Sequence, residues 1–391
     1  MGSFDDVLEG LFSEDAGRRR WAALRLAEMA EGGVTSGEAL RRLVRLLDDE
    51  DEEVRLVVVY AVARYAERGV VDAEVLERLV KLLDNRNVRV RDAAAYVLGR
   101  YAEKGIVKPD VTKKLVGLLE DKSEGVRVSA LFAVATYALR GLVDAKAPRK
   151  LVRLLGEEDE EARSMAAWTL GSYAERGLVA SEVTEKLVGL LEDESRGVRE
   201  RAAWALIKYA ERELVSPDAV NKLVNLLDDD YDEVRLNAAW AISTYARGGL
   251  INPDALKKLA KLLDDEREEV RDVAAYALAV YAERGLTHPD AVKRLVKLLD
   301  DEMEEVRRSA ALALGEYARR GHARPEALDT LVRLLEDWNV EVRRGAVYAV
   351  ARYAEKGHRH PGALRKLSKL LNDEDDEVRE IAEYAYSLYE G

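Results

Sequence analysis

The chain has no cysteine, and glutamine is missing as well; phenylalanine and proline are scarce, at 3 and 7 of 391 residues. Without cysteine there is no disulfide framework, no thiolate nucleophile and no Cys-based zinc site. No apolar run reaches the ~20 residues of a membrane span, because charge interrupts every few positions. The opening "MGSFDDVLEG" lacks the basic and apolar regions of a signal peptide, so the expected location is the cytoplasm. A cationic surplus is also missing: 62 Lys and Arg face 75 Asp and Glu, a net charge of -13, which weighs against a polyanionic partner. What remains is 48% apolar and 35% charged, a folded chain able to bury a large core rather than a disordered one. Abundant Glu, Lys and Arg beside missing Cys and Gln resembles a hyperthermophile composition, which predicts thermostability.

Internal similarity sets the architecture. "EEVRLVVVYAVARYAERG" at 52 and "EEVRDVAAYALAVYAERG" at 268 rewrite one phrase, and its arginine recurs every 36 residues from Arg19 to Arg379, giving eleven units without an insertion. Each unit reads as two helices. The first is expected to open on proline in six units (Pro109, Pro217, Pro253, Pro289, Pro325, Pro361), where the missing N–H costs nothing. The second is expected to be capped by Asp51, Asn87, Ser123, Asp159, Ser195, Asn339 or Asp375 and to end at a glycine such as Gly69 or Gly285, where a left-handed residue is wanted. Glu213 takes that glycine's place in one unit, which predicts a reshaped joint there.

The run "LLDDEREEVRDVAAYALAVYA", Leu262 to Ala282, resembles the HEAT repeat, in which an Asp-containing turn precedes Val-Arg and a small-residue helix. The resemblance covers essentially the whole chain. It implies an all-α fold: a right-handed α-α superhelix, or HEAT-like solenoid, of eleven 36-residue two-helix repeats, with second helices lining the concave face. One helix pair cannot cover its apolar faces, so neighbours must stack and end units must be altered to meet water. Arg18 in place of the usual Val and Glu383 in place of an apolar residue are such alterations. The expected organisation is a single solenoid over 1–391, with a truncated N-terminal cap at 1–33, nine full repeats at 34–357 and a C-terminal cap at 358–391.

Turning ~100° per residue from the shared arginine puts the preceding Val, the Ala three on, the Leu seven on and the Tyr ten on against the core. The residue five on lies nearly opposite, where a polar side chain belongs. It reads Leu24, Tyr60, Tyr96, Phe132, Trp168, Trp204, Trp240, Tyr276, Leu312, Tyr348, Tyr384. Two readings stay open. Three residues further on, the register is small (Gly99, Ala135, Gly171, Ser243, Gly315), so each ring could simply lie over a neighbouring helix. The three adjacent tryptophans favour a contact surface instead, since indoles expose much apolar area and serve as binding anchors.

"AAWTLGSYA", "AAWALIKYA" and "AAWAISTYA" resemble the third helix of armadillo repeats in importin alpha. That resemblance implies a ladder of Trp, with Asn four residues later, holding an extended peptide. Here Ser172, Lys208 and Thr244 stand at the Asn register, without the paired amide donor and acceptor. The expected partner-binding set is Phe132, Trp168, Trp204, Trp240 and Tyr276, flanked by Ser172, Lys208, Thr244, Glu200 and Leu236.

Other repeated residues read as architecture. The shared arginine and the aspartate six before it (Asp49, Asp121, Asp193, Asp229, Asp265, Asp301, Asp337, Asp373) look like the HEAT ladder that ties consecutive turns. The tyrosine ten on reads as core with its hydroxyl at the rim. Glu-Arg pairs such as Glu67-Arg68 predict salt bridges between units. Two rows of Lys and Arg on the first helices, among them Arg78, Lys114, Lys222, Lys258 and Lys366, could touch phosphates, but read as solvated surface neutralised by adjoining acidic turns. HEAT-like DNA glycosylases carry a basic, aromatic concavity, whereas here Arg64, Arg100 and Lys208 mix with Asp92, Glu200, Asp272 and Glu316. His288, His322, His358 and His360 fall in loops about 10 Å apart per unit, too dispersed for a metal site.

The sequence therefore predicts a non-catalytic, monomeric scaffold that holds a protein or extended peptide segment, without cofactor or metal. The alternatives are a nucleic-acid-binding or processing protein on the same scaffold, with Glu200 beside Trp204 as its one candidate carboxylate, or an engineered array without a native ligand.

Overall fold

The computed structural model describes residues 4–390. Among them every regular element is helical, arranged as eleven consecutive helix pairs. By contact, the chain falls into two compact units, Met1–Lys186 and Leu187–Gly391. Repeats are numbered 1 to 11 here; repeats 1 to 5 lie in the first unit, and the second helices of repeats 6 to 11 lie in the second.

Most second helices run 16 residues, as in Glu52–Glu67, Val88–Glu103 and Glu268–Glu283. Several of their starts are fixed by side-chain caps, whereas Ser123, expected to cap its helix, and Tyr231, Arg267 and Met303 at the same position make no such bond. Asp51 accepts from the Val54 N–H, Asn87 from Arg89, Asp159 from Glu161, and Asn339 from Glu341 and Val342, which satisfies donors that a helix start leaves orphaned. Their ends close on a residue with positive φ. At Gly69 (φ 79°), the Gly69 N–H donates to the Ala66 carbonyl and Val70 to Tyr65, both at 2.9 Å. Glu213 adopts the same turn: its φ is 63°, with Glu213 donating to Ala210 and Leu214 to Tyr209 at 3.0 Å. The expected reshaping does not occur. The two closing hydrogen bonds and the stacked helices hold the backbone in place, and Glu213 absorbs the left-handed conformation that costs a side-chain-bearing residue about 1–2 kcal/mol.

First helices are shorter. Pro217 and Pro289 open theirs as expected. Pro325 opens a single 3₁₀ turn, Pro325–Ala327, while Pro109, Pro253 and Pro361 precede helices that begin two residues later, at Val111, Ala255 and Ala363. In these repeats a tight turn comes first: the Ala255 N–H donates to Asn252 and Leu256 to Pro253, leaving the proline outside the helix.

Inside each repeat the core forms around the tyrosine ten residues after the arginine. From Tyr65 to Tyr353 these tyrosines are fully buried, whereas Tyr389 in the last repeat, with no following repeat to cover it, is half-buried. The Tyr317 hydroxyl accepts from the His288 N–H (3.1 Å), Tyr353 accepts from Arg324 (3.2 Å), and Tyr281 donates to the Asn252 carbonyl (3.2 Å). Each bond ties the end of a second helix to the start of its own first helix. Burial pushes the Tyr317 hydroxyl up to about 12, so it stays neutral and serves structure.

Between repeats, second helices lie closest. A Cβ on Gly345 would sit 3.0 Å from the Arg308 carbonyl, so only a minimal side chain admits that approach. Within each unit the shared arginine spans most joints to a carboxylate 30 residues on. Arg19 grips Asp49 with Nε and Nη2 at 2.8 Å while its Nη1 donates to the Ser13 and Glu14 carbonyls; the same geometry recurs at Arg91–Asp121, Arg199–Asp229, Arg235–Asp265, Arg271–Asp301 and Arg343–Asp373. Burial opposes ionisation of Asp49, and the Arg19 guanidinium and the Asp51 N–H outweigh it, holding the carboxyl below its usual range. Glu157 supplies a rung that a search for aspartate misses, accepting both Arg127 bonds at 2.8 Å.

The arginines closing the second helices make a second tie, of a kind different from the expected salt bridge. Arg68 Nε donates to the Ala30 carbonyl (3.0 Å), Arg140 Nε to Ala102 (2.9 Å) and Arg320 Nε to Ala282 (2.8 Å). These guanidiniums cap the last turn of the preceding second helix, where free carbonyls collect partial negative charge, and Glu67 turns back to Arg64 of its own helix.

Candidate functional site

The ring register lies on the second helices, on the side away from the tyrosine core. In the second unit Trp240 is 43% exposed, Trp204 and Tyr276 are half-buried, and the Trp240 and Tyr276 rings stack with centroids 6.0 Å apart, 23° from parallel. Trp204, Ile207, Lys208, Leu236, Trp240 and Val273 line a shallow, mainly apolar cleft. Lys208 Nζ sits 5.8 Å from the Trp204 ring centroid and 3.5 Å from Glu211, so the one cation at the cleft is countered locally. Glu200, half-buried, and Thr244 lie outside the lining. Thr244 spends its hydroxyl proton on the Trp240 carbonyl at 3.0 Å; to an incoming group it presents lone pairs only.

In the first unit Phe132 and Tyr96 stack at 5.6 Å and 28°. The Phe132 ring covers Gly99 so closely that a Cβ there would fall 2.6 Å from it. Tyr348 covers Gly315 likewise in the second unit, at 2.9 Å. Ring on small residue is thus the packing of these two positions, each ring using the gap left by the repeat before. Trp168 is half-buried. Ser172, expected to flank it, is only 3% exposed, and its carbonyl accepts from Arg176.

Toward the ends of the array the registers carry self-paired charge. Arg64 lies 4.7 Å from the Tyr60 ring centroid and pairs with Glu67 and Glu31; Arg352 lies 4.9 Å from the Tyr348 ring centroid and pairs with Glu355. The cleft residues Ile207, Asn237 and Val273 were not singled out from sequence. Their signal was available, since Asn237 and Val273 both stand two residues after the shared arginine, on the same face as the rings.

The basic rows on the first helices meet acidic turns of the repeat before: Lys114 meets Asp84 (2.5 Å), Lys222 meets Glu192 (2.5 Å), Lys258 meets Asp228 (2.9 Å). Glu336 is held down at about 2 by Lys369 and Lys366. His360 pairs with Asp329 at 3.0 Å and accepts the Gly362 N–H on Nδ1 in the turn before its helix. Among the described residues no group of three or more His, Asp or Glu is placed to hold a metal ion, and no helix is long and apolar enough to cross a membrane.

Comparison with known proteins places these features. A model of HEAT repeats matches residues 40–135, 112–207, 147–243, 184–279, 256–323 and 292–387. A search of curated proteins gives no match. Among solved structures, the crystal structure of an engineered protein is similar over 100% of both chains, at 27% identity and a TM-score of 0.60. A designed armadillo repeat protein, 27% identical, covers 62% of this chain and 99% of its own, at a TM-score of 0.39. The capped helix pairs, the Arg–carboxylate rungs at a 36-residue period and the family match over 40–387 agree, and the chain belongs to the HEAT-repeat family.

Proposed function

We propose that the protein is a non-catalytic scaffold that holds an extended protein segment along the exposed faces of its second helices, with Trp204 and Trp240 as anchors in the second unit beside Tyr276 and Leu236, and with Trp168 and Phe132 offering rings of the same register in the first. The observation that supports this most is Trp240, left 43% exposed next to an apolar cleft. A half-open indole offers large apolar area and a π-face at little entropic cost. Helices ~10 Å apart against an extended chain rising ~3.3 Å per residue give each repeat about three ligand residues. Lys208 and Thr244 would meet the segment's backbone, Lys208 as donor and Thr244 as acceptor; Glu200 would serve as an outer polar contact. Ser172 drops out of the surface, being buried.

The test is a selection of displayed extended peptides on the wild-type protein, followed by affinity and melting measurements on Trp204→Ala/Trp240→Ala. The expected result is at least a roughly tenfold loss of affinity with a melting temperature nearly unchanged. A collapse in stability with affinity retained per folded molecule would establish the rings as packing alone. Selection of no segment would favour an array without a native ligand, the reading that the engineered structural neighbour supports, and a steep salt dependence would favour a nucleic acid.

A further inference from the structure

The joint between repeats 2 and 3 lacks both arginine ties. Where other joints place a carboxylate opposite the shared arginine, this one places Asn85 opposite Arg55. Asn85 Oδ1 accepts the Asn87 N–H at 2.9 Å, which leaves an amide, itself a donor, to face the guanidinium. Arg55 Nε is buried and has no hydrogen-bond partner, and the nearest carboxylate contact is Glu52 at 4.0 Å on its own helix. At the other end of the second helix, where Arg68 and Arg140 cap the preceding helix in the flanking joints, repeat 3 carries Lys104, which is exposed. The second helices Glu52–Glu67 and Val88–Glu103 therefore lack an arginine tie at either end; what joins them is the exposed Arg89–Glu53 pair at 3.7 Å and a hydrogen bond from the Tyr96 hydroxyl to Glu67 at 3.4 Å. Between them opens a cleft of about 480 Å³ lined by Tyr60, Ala63, Arg64, Asp92 and Tyr96 among others. On the first-helix side the joint is still held, by Arg78 to Asp48.

We propose that this joint is a hinge: the Arg78–Asp48 edge acts as pivot and the cleft between the two second helices widens and narrows about it. The physical basis is local. Bidentate guanidinium–carboxylate pairs fix distance and angle together, and a joint without them on this side keeps side-chain packing and single exposed contacts such as Arg89–Glu53, which give way at low cost. The motion would change the spacing of Tyr60 and Tyr96, and with it the reach of the first unit around anything lying on that face.

The absence of cysteine makes the test clean. Spin labels at Arg41→Cys and Lys113→Cys span this joint and the next one; labels at Asn221→Cys and Lys293→Cys occupy the same registers in the second unit, across two joints that carry both ties. The expected distance distribution is about twofold broader for the first pair, and Asn85→Asp with Lys104→Arg narrows it to that of the second. Equal widths in the parent protein, or a broad first pair that the double substitution leaves unchanged, would overturn the hinge. Each substitution restores what neighbouring repeats already carry, and circular dichroism confirms folding before the distances are read.

Discussion

The two units are built from the same repeat, yet they fasten it differently. In the second unit every joint between repeats 6 and 11 carries an arginine–carboxylate rung. In the first unit the rungs at Asp49, Asp121 and Glu157 flank one joint where Asn85 interrupts the series. The contrast separates two jobs that one aspartate normally performs. One oxygen turns the chain by accepting the N–H two residues on, as Asp49 does for Asp51 at 2.9 Å; both oxygens together hold the arginine of the previous repeat. Asparagine keeps the first job and loses the second, so the turn at Asn85 is intact while the rung to Arg55 is lost. In a one-dimensional array, where stability is a sum of repeat and nearest-neighbour terms, such a change acts at one joint.

The largest test of this contrast removes the arginine from each side. Arg235→Ala strands Asp265, whose side chain is only 6% exposed, and a buried carboxylate without its partner costs about 3–5 kcal/mol; Arg55→Ala strands no carboxylate and costs about 1 kcal/mol. Denaturant midpoints of the two variants should differ accordingly, and equal losses would mean that the rungs do not distinguish the units. Adding a methyl comes next. Gly99→Ala drives a Cβ into the Phe132 ring and should destabilise by about 1–3 kcal/mol, and Gly315→Ala should do the same under Tyr348, measurable as lowered melting temperatures.

Acid sharpens the comparison further. The Asp49, Asp121 and Asp373 carboxyls lie below their ordinary value: burial works against their ionisation, and the arginine bonds and backbone N–H groups outweigh it. A carboxyl lowered in the folded state contributes stability that is complete above its unfolded value of about 4 and is lost as pH falls through the lower folded value. Stability followed by circular dichroism should therefore drop below about pH 4. Asn85→Asp should gain stability at neutral pH and lose that gain in acid, whereas a pH-independent gain would place its origin outside the rung. The smallest effect is Glu213→Gly in the second unit, expected to raise stability by about 1 kcal/mol because glycine adopts positive φ without the side-chain penalty; a melting temperature that falls would show Glu213 making a compensating contact.

The placement of the rings was legible because it is periodic. Counting from one arginine assigned the tyrosines to the core and placed the tryptophans on the opposite side, where the structure leaves Trp240 open. The reading failed where tertiary surroundings decide. Ser172 and Thr244 share a register, yet one is buried and the other half-exposed. Arg68 looked like half of a salt bridge, and its partner proved to be a carbonyl, a group every residue carries and no sequence pattern marks.

The sequence alone determined the period, the two helices of each repeat, their caps and their apolar faces, because these follow from interactions within a few residues of one another. Tertiary structure decided which rings cover glycines and which stand open, which arginines hold carboxylates and which hold backbone, and that Glu213 bends as glycine would. Those outcomes depend on groups about 30 residues apart in the chain meeting at one joint, where shape and partner supply, rather than local preference, set the energy.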